Sequence, residues 1–219
     1  AVAAAPDFCE REGALLQLMG DPAFSRMEER DLPTLVDACL ARGQVLAGGW
    51  VGREPIGALA SLDYEVRRTS GPAPGSRPGF CLCAMTRALP GGEKGGTVEL
   101  YVGEVARKRA ALLASGVEVG EEELERLHLA HELYHALEFS DGPLTVDAVP
   151  KVRVRGLLGA RPRAVARSSE LAAHAFARRV TSSALLPSWI DATFLLAEGS
   201  LERQALLDEL ALARKILGT

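Results

Sequence analysis

Residues 131 to 135 read HELYH, and on an α-helix two histidines four positions apart leave one face a single turn from each other. His131 and His135 can therefore bind one ion through neutral imidazole nitrogens, which suits a borderline-soft cation such as zinc. Glu132 stands beside them as the carboxylate that would take a proton from a metal-activated water. That is hydrolytic chemistry, and it needs a helical setting and a third ligand from elsewhere in the chain.

The setting is helical. Glu121, Glu122 and Glu123 put three acids in a first turn, where they complement the positive end of the helix dipole. Beyond them Leu124, His128, His131, His135 and Glu138 share one side at the helical period, and Leu129, Leu133, Ala136 and Leu137 share the other. One side builds core; the other carries imidazoles and carboxylates.

Acids downstream of the motif are Glu138, Asp141, Asp147 and Glu170. Glu138 lies one turn past His135 on the same helix, nearly in line with both histidines, which suits tetrahedral geometry poorly. A second element must approach. Residues 163 to 181, RAVARSSELAAHAFARRVT, read as a helix in which Glu170, Ala173, His174, Ala177 and Thr181 form one stripe. Small alanines around a carboxylate let that helix pack closely, so Glu170 is the expected third ligand and Zn2+ the expected cofactor.

The motif HELYH, followed by Ser169, Glu170, Leu171, Ala172, Ala173, His174, Ala175, Phe176 and Ala177 and then Leu185, Leu186 and Pro187, resembles the ImmA/IrrE family of zinc peptidases. Its members typically carry a His-Glu-x-x-His helix, then Glu-x-x-Ala-(Asn or Asp)-x-Phe-Ala, then a Leu-x-Pro-like ending. The resemblance covers about residues 97 to 190. It implies a zincin-like, gluzincin-type endopeptidase of restricted specificity, with His131, His135 and Glu170 on zinc and Glu132 as base. Its partner would be a protein or peptide substrate, for instance a separate helix-turn-helix repressor. A zinc-stabilised interaction module without proteolysis is the alternative.

Two positions depart from the family pattern. Tyr134 stands where a small residue, commonly glycine, is usual, and His174 stands where Asn or Asp is usual. In related zincins the position one turn after the glutamate ligand supports a ligand histidine by a hydrogen bond. His174 could do this, bind the metal, or donate to an oxyanion. His128, Tyr134 and Tyr101 are further oxyanion candidates, and the sequence does not choose among them. His128, one turn before His131, fits packing or support of a ligand better than catalysis.

Around the motif, residues 97 to 102 alternate weakly after the glycine-rich turn PGGEKGG and would pair with residues 79 to 86 in a hairpin. By the zincin resemblance, 97 to 102 would be an edge strand that holds extended substrate; an ordinary hairpin is the other reading. Between the two ligand helices, Lys151, Val152, Arg153, Val154 and Arg155 alternate basic and apolar, as a substrate flap or a charge-protected edge strand does. A basic flap would favour an acidic peptide.

Upstream, residues 8 to 20 and 23 to 42 read as helices, the second with Asp21 as cap, Pro22 in its first turn and a split or kink at Pro33. Residues 45 to 67 are mixed, and RTSGPAPGSRPG at 68 to 79 is loop. After Pro187, Ser188 and Asp191 form a capping box, and Leu206, Leu210, Ala213 and Leu217 give the last helix its stripe. The expected architecture is α+β, mainly helical with a small antiparallel sheet. A helical layer at 1–67 would pack on a metallopeptidase core at 68–190, with C-terminal helices at 191–219.

With 219 residues, 47% hydrophobic and 25% charged, the chain can bury a core of its own as one domain. A net charge of −4 argues against direct nucleic-acid binding as the main task. No segment approaches the roughly 18 apolar residues that span a bilayer. Cys9, Cys39, Cys81 and Cys83 form no C-x-x-C pair, so they read as core thiols in a reducing, cytoplasmic setting. The start, AVAAAP, lacks the charged end and apolar core of a signal peptide; the absent initiator Met points to trimming, and removal of an export signal stays open.

Overall fold

The computed structural model describes residues 3–90, 93–140, 142–157 and 159–219, and its first helices start on local signals. In α1 (Glu10–Met19) the Cys9 N–H donates to the Glu12 carboxylate at 2.7 Å. In α2 (Leu32–Ala47) Pro33 occupies the first turn, where its missing N–H costs nothing. This corrects the expected helix over 23 to 42. Residues 24–26 and 29–31 are 3-10 turns, and the Asp21 carboxylate accepts from Ala23 N–H (2.8 Å) instead of capping a helix. Pro33 thus opens α2 and does not kink it.

Next come α3 (Pro55–Ala60), β1 (Tyr64–Thr69), β2 (Ala84–Ala88), β3 (Gly96–Tyr101) and α4 (Val102–Ala114). The motif helix is α5 (Glu121–Ser140), and it begins at the three acids, as expected. A single turn, α6 (Thr145–Ala148), then leads to the hairpin β4 (Val152–Gly156) and β5 (Gly159–Arg163). The chain ends in α7 (Ser168–Thr181), α8 (Pro187–Ala197) and α9 (Arg203–Leu217). The fold is α+β and mainly helical. Asp141 and the turn glycines Gly91 and Gly92 lie outside the described residues. Among the described residues no helix is long and apolar enough to cross a membrane.

The three-stranded sheet runs β1-β3-β2, with β1 parallel and β2 antiparallel to β3. It is mixed, not antiparallel, because the chain travels from β1 to the far edge and returns as β3 between the two. The strand expected at 97 to 102 is therefore the central one, its backbone groups already paired on both sides, and cannot accept a substrate strand. The free edge beside α5 is β2, which starts at Ala84, so Cys81 and Cys83 precede it. The expected boundaries at 67/68 and 190/191 run through β1 and α8.

α7 is packed between α2 and α5, and small residues permit it. Ala173 and Ala177 face the core shared with α5 and the sheet, while Ala175 and Leu171 face the core shared with α1, α2, α9 and β4. On α2, a Cβ at Gly43 would lie 2.1 Å from the Ala172 carbonyl oxygen, so only glycine allows this approach. The β4–β5 hairpin packs away from the motif against residues 24–31: Arg153 donates to Asp31 (2.9 Å) and Arg155 to Glu28 (3.0 Å). Both basic side chains are thereby paired with acids, which favours the charge-protected edge over a flap for acidic peptide.

Candidate metal centre

α5 and α7 bring His131, His135 and Glu170 together. The two Nε2 atoms are 3.1 Å apart, His131 Nε2 is 3.2 Å from Glu170 Oε2, and His135 Nε2 is 3.5 Å from Glu170 Oε1. Ligands about 2.05 Å from a tetrahedral zinc are separated by about 3.3 Å, and these three contacts lie near that value, each histidine meeting a different oxygen of Glu170. Among the described residues, these are the three His, Cys, Asp or Glu side chains whose donor atoms group tightly enough to hold a metal ion. The donors fit zinc. Glu170 is 48% exposed while the two imidazoles are 15% and 13% exposed, so the group opens to solvent on the Glu170 side.

Glu138 fixes which nitrogen of His135 is free. Its Oε2 lies 3.3 Å from His135 Nδ1, so Nδ1 carries the proton and Nε2 keeps its lone pair for a metal. The carboxylate is itself held by the Thr145 N–H at 2.7 Å and by the hydroxyls of Thr145 and Ser169. Burial alone would raise the Glu138 carboxyl; the bonds from His135, Ser169 and Thr145 reverse that and hold it down at about 2. Glu138 thus holds His135 from behind and stands outside the group of His131, His135 and Glu170. Thr145 and Ser169 gave no signal in the sequence, although Glu138 at one turn from His135 did.

The base candidate is held from the sheet. Thr86 Oγ1, on the β2 edge, donates to Glu132 Oε2 at 2.8 Å. Leu82, Met85, Thr86 and Phe139 join Glu132, His131, His135 and Glu170 around an open cleft of about 280 Å3. A larger depression of about 460 Å3 lies at the far end of α7, around Glu10, Gln44, Arg178 and Arg179, and borders none of these groups. Asp147 is exposed and not part of the cluster.

The four remaining candidates do not border the cleft. Tyr134 is fully buried, its ring against Phe176 and His135, and its hydroxyl bonds to Thr145. It fills core. Tyr101 donates to Glu99 at 2.6 Å. His174 stacks edge-on to His131, with ring centres 5.1 Å apart, and lies 2.8 Å from Gln17 Nε2 through Nδ1. Desolvation and the neighbouring His131 push it down to about 3, so it is a neutral ring behind the site. His128, His131, His174 and Asp191 share a small cavity of about 20 Å3 behind the cluster, where His128 Nε2 has no protein partner.

Asp191 belongs to this rear network. It accepts from Lys108 at 2.7 Å, while α8 opens on Pro187, so no capping box forms with Ser188. Burial alone would lower the Lys108 ammonium; Asp191 together with Cys83 and Cys81 outweighs it and raises the group. No family model matches this chain, and no curated protein or solved structure matches it.

Proposed function

We propose that this protein is a zinc-dependent endopeptidase of restricted specificity with a zincin-like fold, as its resemblance to the ImmA/IrrE family implies. The observation that carries the reading is the triangle of His131, His135 and Glu170, open on one side, with the Glu132 carboxylate beside it in a cleft. Zinc, when bound there, supplies a Lewis acid that polarises a carbonyl and lowers the pKa of water towards about 7. Glu132 takes the proton of the attacking water and returns it to the departing amine. Thr86 aims that carboxylate. The unpaired edge of β2 offers backbone groups to an extended peptide, a form of β-augmentation. Leu82, Met85 and Phe139 then meet side chains beside the scissile bond. In this reading the substrate is a separate regulatory protein in the cytoplasm, and nucleic acid is not bound directly.

Glu132→Gln is the test, with zinc content and cleavage of a diverse peptide library measured together. The enzyme reading requires one equivalent of zinc in both proteins and cleavage by the parent alone. Equal products from both proteins, or none from either, would refute it, and the second outcome would favour the interaction module.

A further inference from the structure

We propose that Cys81 and Cys83 are a redox-modification site, closing to a reversible disulfide at the expense of a low-molecular-weight disulfide such as oxidised glutathione. Both residues precede β2, and their Sγ atoms lie 3.6 Å apart. A bond at about 2.05 Å requires an approach of about 1.5 Å. Among the described residues no third His, Cys, Asp or Glu donor groups with both sulfurs, so the pair lacks the ligand set of a metal site.

The surroundings favour a thiolate. Hydrogen bonding from Cys81 holds the Cys83 thiol well below its usual range, with help from His128 and the Lys108 ammonium, against the effect of burial. Cys81, raised by the same bond, donates to the Glu104 carboxylate at 3.4 Å. The proton of the pair therefore rests on Cys81, with Cys83 as the thiolate beside it. Access is asymmetric: Cys83 is 3% exposed, Cys81 is partly open and meets an oxidant first.

In the first step Cys83 takes the Cys81 proton as Cys81 attacks one sulfur of the oxidant, forming a mixed disulfide and releasing one thiolate. That thiolate takes the Cys83 proton, and Cys83 then attacks Cys81 Sγ, expelling the second thiolate. Two protein thiols are oxidised and one small disulfide is reduced. The Cys83 carbonyl accepts from Tyr101 N–H at 2.8 Å and is tied to the sheet, so Cys81 and Leu82 take up the motion. Leu82 is in the wall of the metal-site cleft. The effect on cleavage rests on the peptidase reading; the disulfide does not.

The intact chain is equilibrated in mixtures of reduced and oxidised glutathione, alkylated, and mapped by mass spectrometry, with exposed Cys9 reporting that the oxidant is active. The expected result is coordinate loss of two thiols, both in the peptide containing 81 and 83, restored by dithiothreitol. In Cys83→Ser, Cys81 should stop at the glutathione adduct. Glutathionylation of Cys9 while Cys81 and Cys83 stay alkylatable overturns the proposal. Formation of the disulfide with no hydrolysis in either redox state supports the site and removes the peptidase; where hydrolysis occurs, oxidation should raise KM and leave kcat.

Discussion

Glu138→Gln isolates the support behind His135 from the ligands themselves. The Glu138 side chain is 3% exposed, and both oxygens accept hydrogen bonds: Oε1 from Thr145, Oε2 from Ser169 and His135. Glutamine keeps the shape and loses one acceptor. With its oxygen toward Thr145, its NH2 faces His135 Nδ1, which then accepts, and the proton moves to Nε2 where the metal needs a lone pair. Recovering the metal-binding tautomer sets that NH2 against the Nδ1–H, two buried donors with no acceptor between them, at a cost of about 1–3 kcal/mol. Ligand supports of this kind cost about 10–100-fold in affinity, or about 1.4–2.8 kcal/mol, when mutated. Zinc affinity is read by competition with a chromophoric chelator at neutral pH, alongside thermal melts with and without metal. Saturation of the parent at 100 times its Kd should add about 2.7 kcal/mol of stability, removable by chelation. An affinity for the variant within about threefold of the parent, in a protein that melts like the parent without metal, would refute the role given to Glu138.

Thr86→Val keeps the strand's shape but removes the hydroxyl that holds Glu132; kcat should fall about 10–100-fold, the worth of a hydrogen bond to a charged group, with zinc content unchanged. Gly43→Ala should lower stability by about 1–3 kcal/mol in a denaturant titration, because α2 and α7 must separate; a gain, as helix propensity alone predicts, would contradict the packing described. Asp31→Asn tests the Arg153 pair. Arg153, through hydrogen bonds and charge, holds the Asp31 carboxyl at about 2 against an ordinary 3.8. Its folded-state value is depressed, so the stabilisation is complete above 3.8 and is lost as pH falls through about 2. Since Arg153 is 39% exposed, screening reduces the contribution to about 1 kcal/mol. Melts of parent and variant should differ at pH 7 and converge near pH 2.

Local chemistry explains which elements were legible. α5 was readable because three acids and a two-sided pattern of apolar and ligand residues coincide within twenty residues. The body of α7 was readable from its run of alanines, and Gly43 shows how close they come, but the start was not: the expected helix over 163 to 181 begins at Ser168, and Arg163 ends β5. The start of α2 was misread because Asp21 and Pro22 are a good helix opening in isolation; the chain spends them on a turn that places residues 27 and 28 beside β4. Strand order lies further from local signal. Nothing in residues 64 to 69 says that they pair in parallel with a segment thirty residues on, and that pairing is what moves β3 to the centre and leaves β2 as the edge.

The same division holds within the site. His131, Glu132 and His135 are set by spacing on one helix, and Glu170 by a stripe on another, so their convergence needed only two helices to touch. The hydrogen-bonding groups around them arrive from elsewhere: Thr86, from a strand, reaches Glu132, while behind the site Thr145 from a one-turn helix holds Glu138, Gln17 from α1 meets His174 and Lys108 from α4 meets Asp191. Hydrogen-bond partners of that kind have no periodicity, because one hydroxyl at any depth in the chain suffices. Tyr134 illustrates the converse. Its hydroxyl made it an oxyanion candidate, yet its place on the apolar side of α5, one residue before His135, turns the ring into the core. Helical phase carried more information than functional group, and it also separates the two sides of α5: His131 and His135 toward the cleft, and the tyrosine toward Phe176.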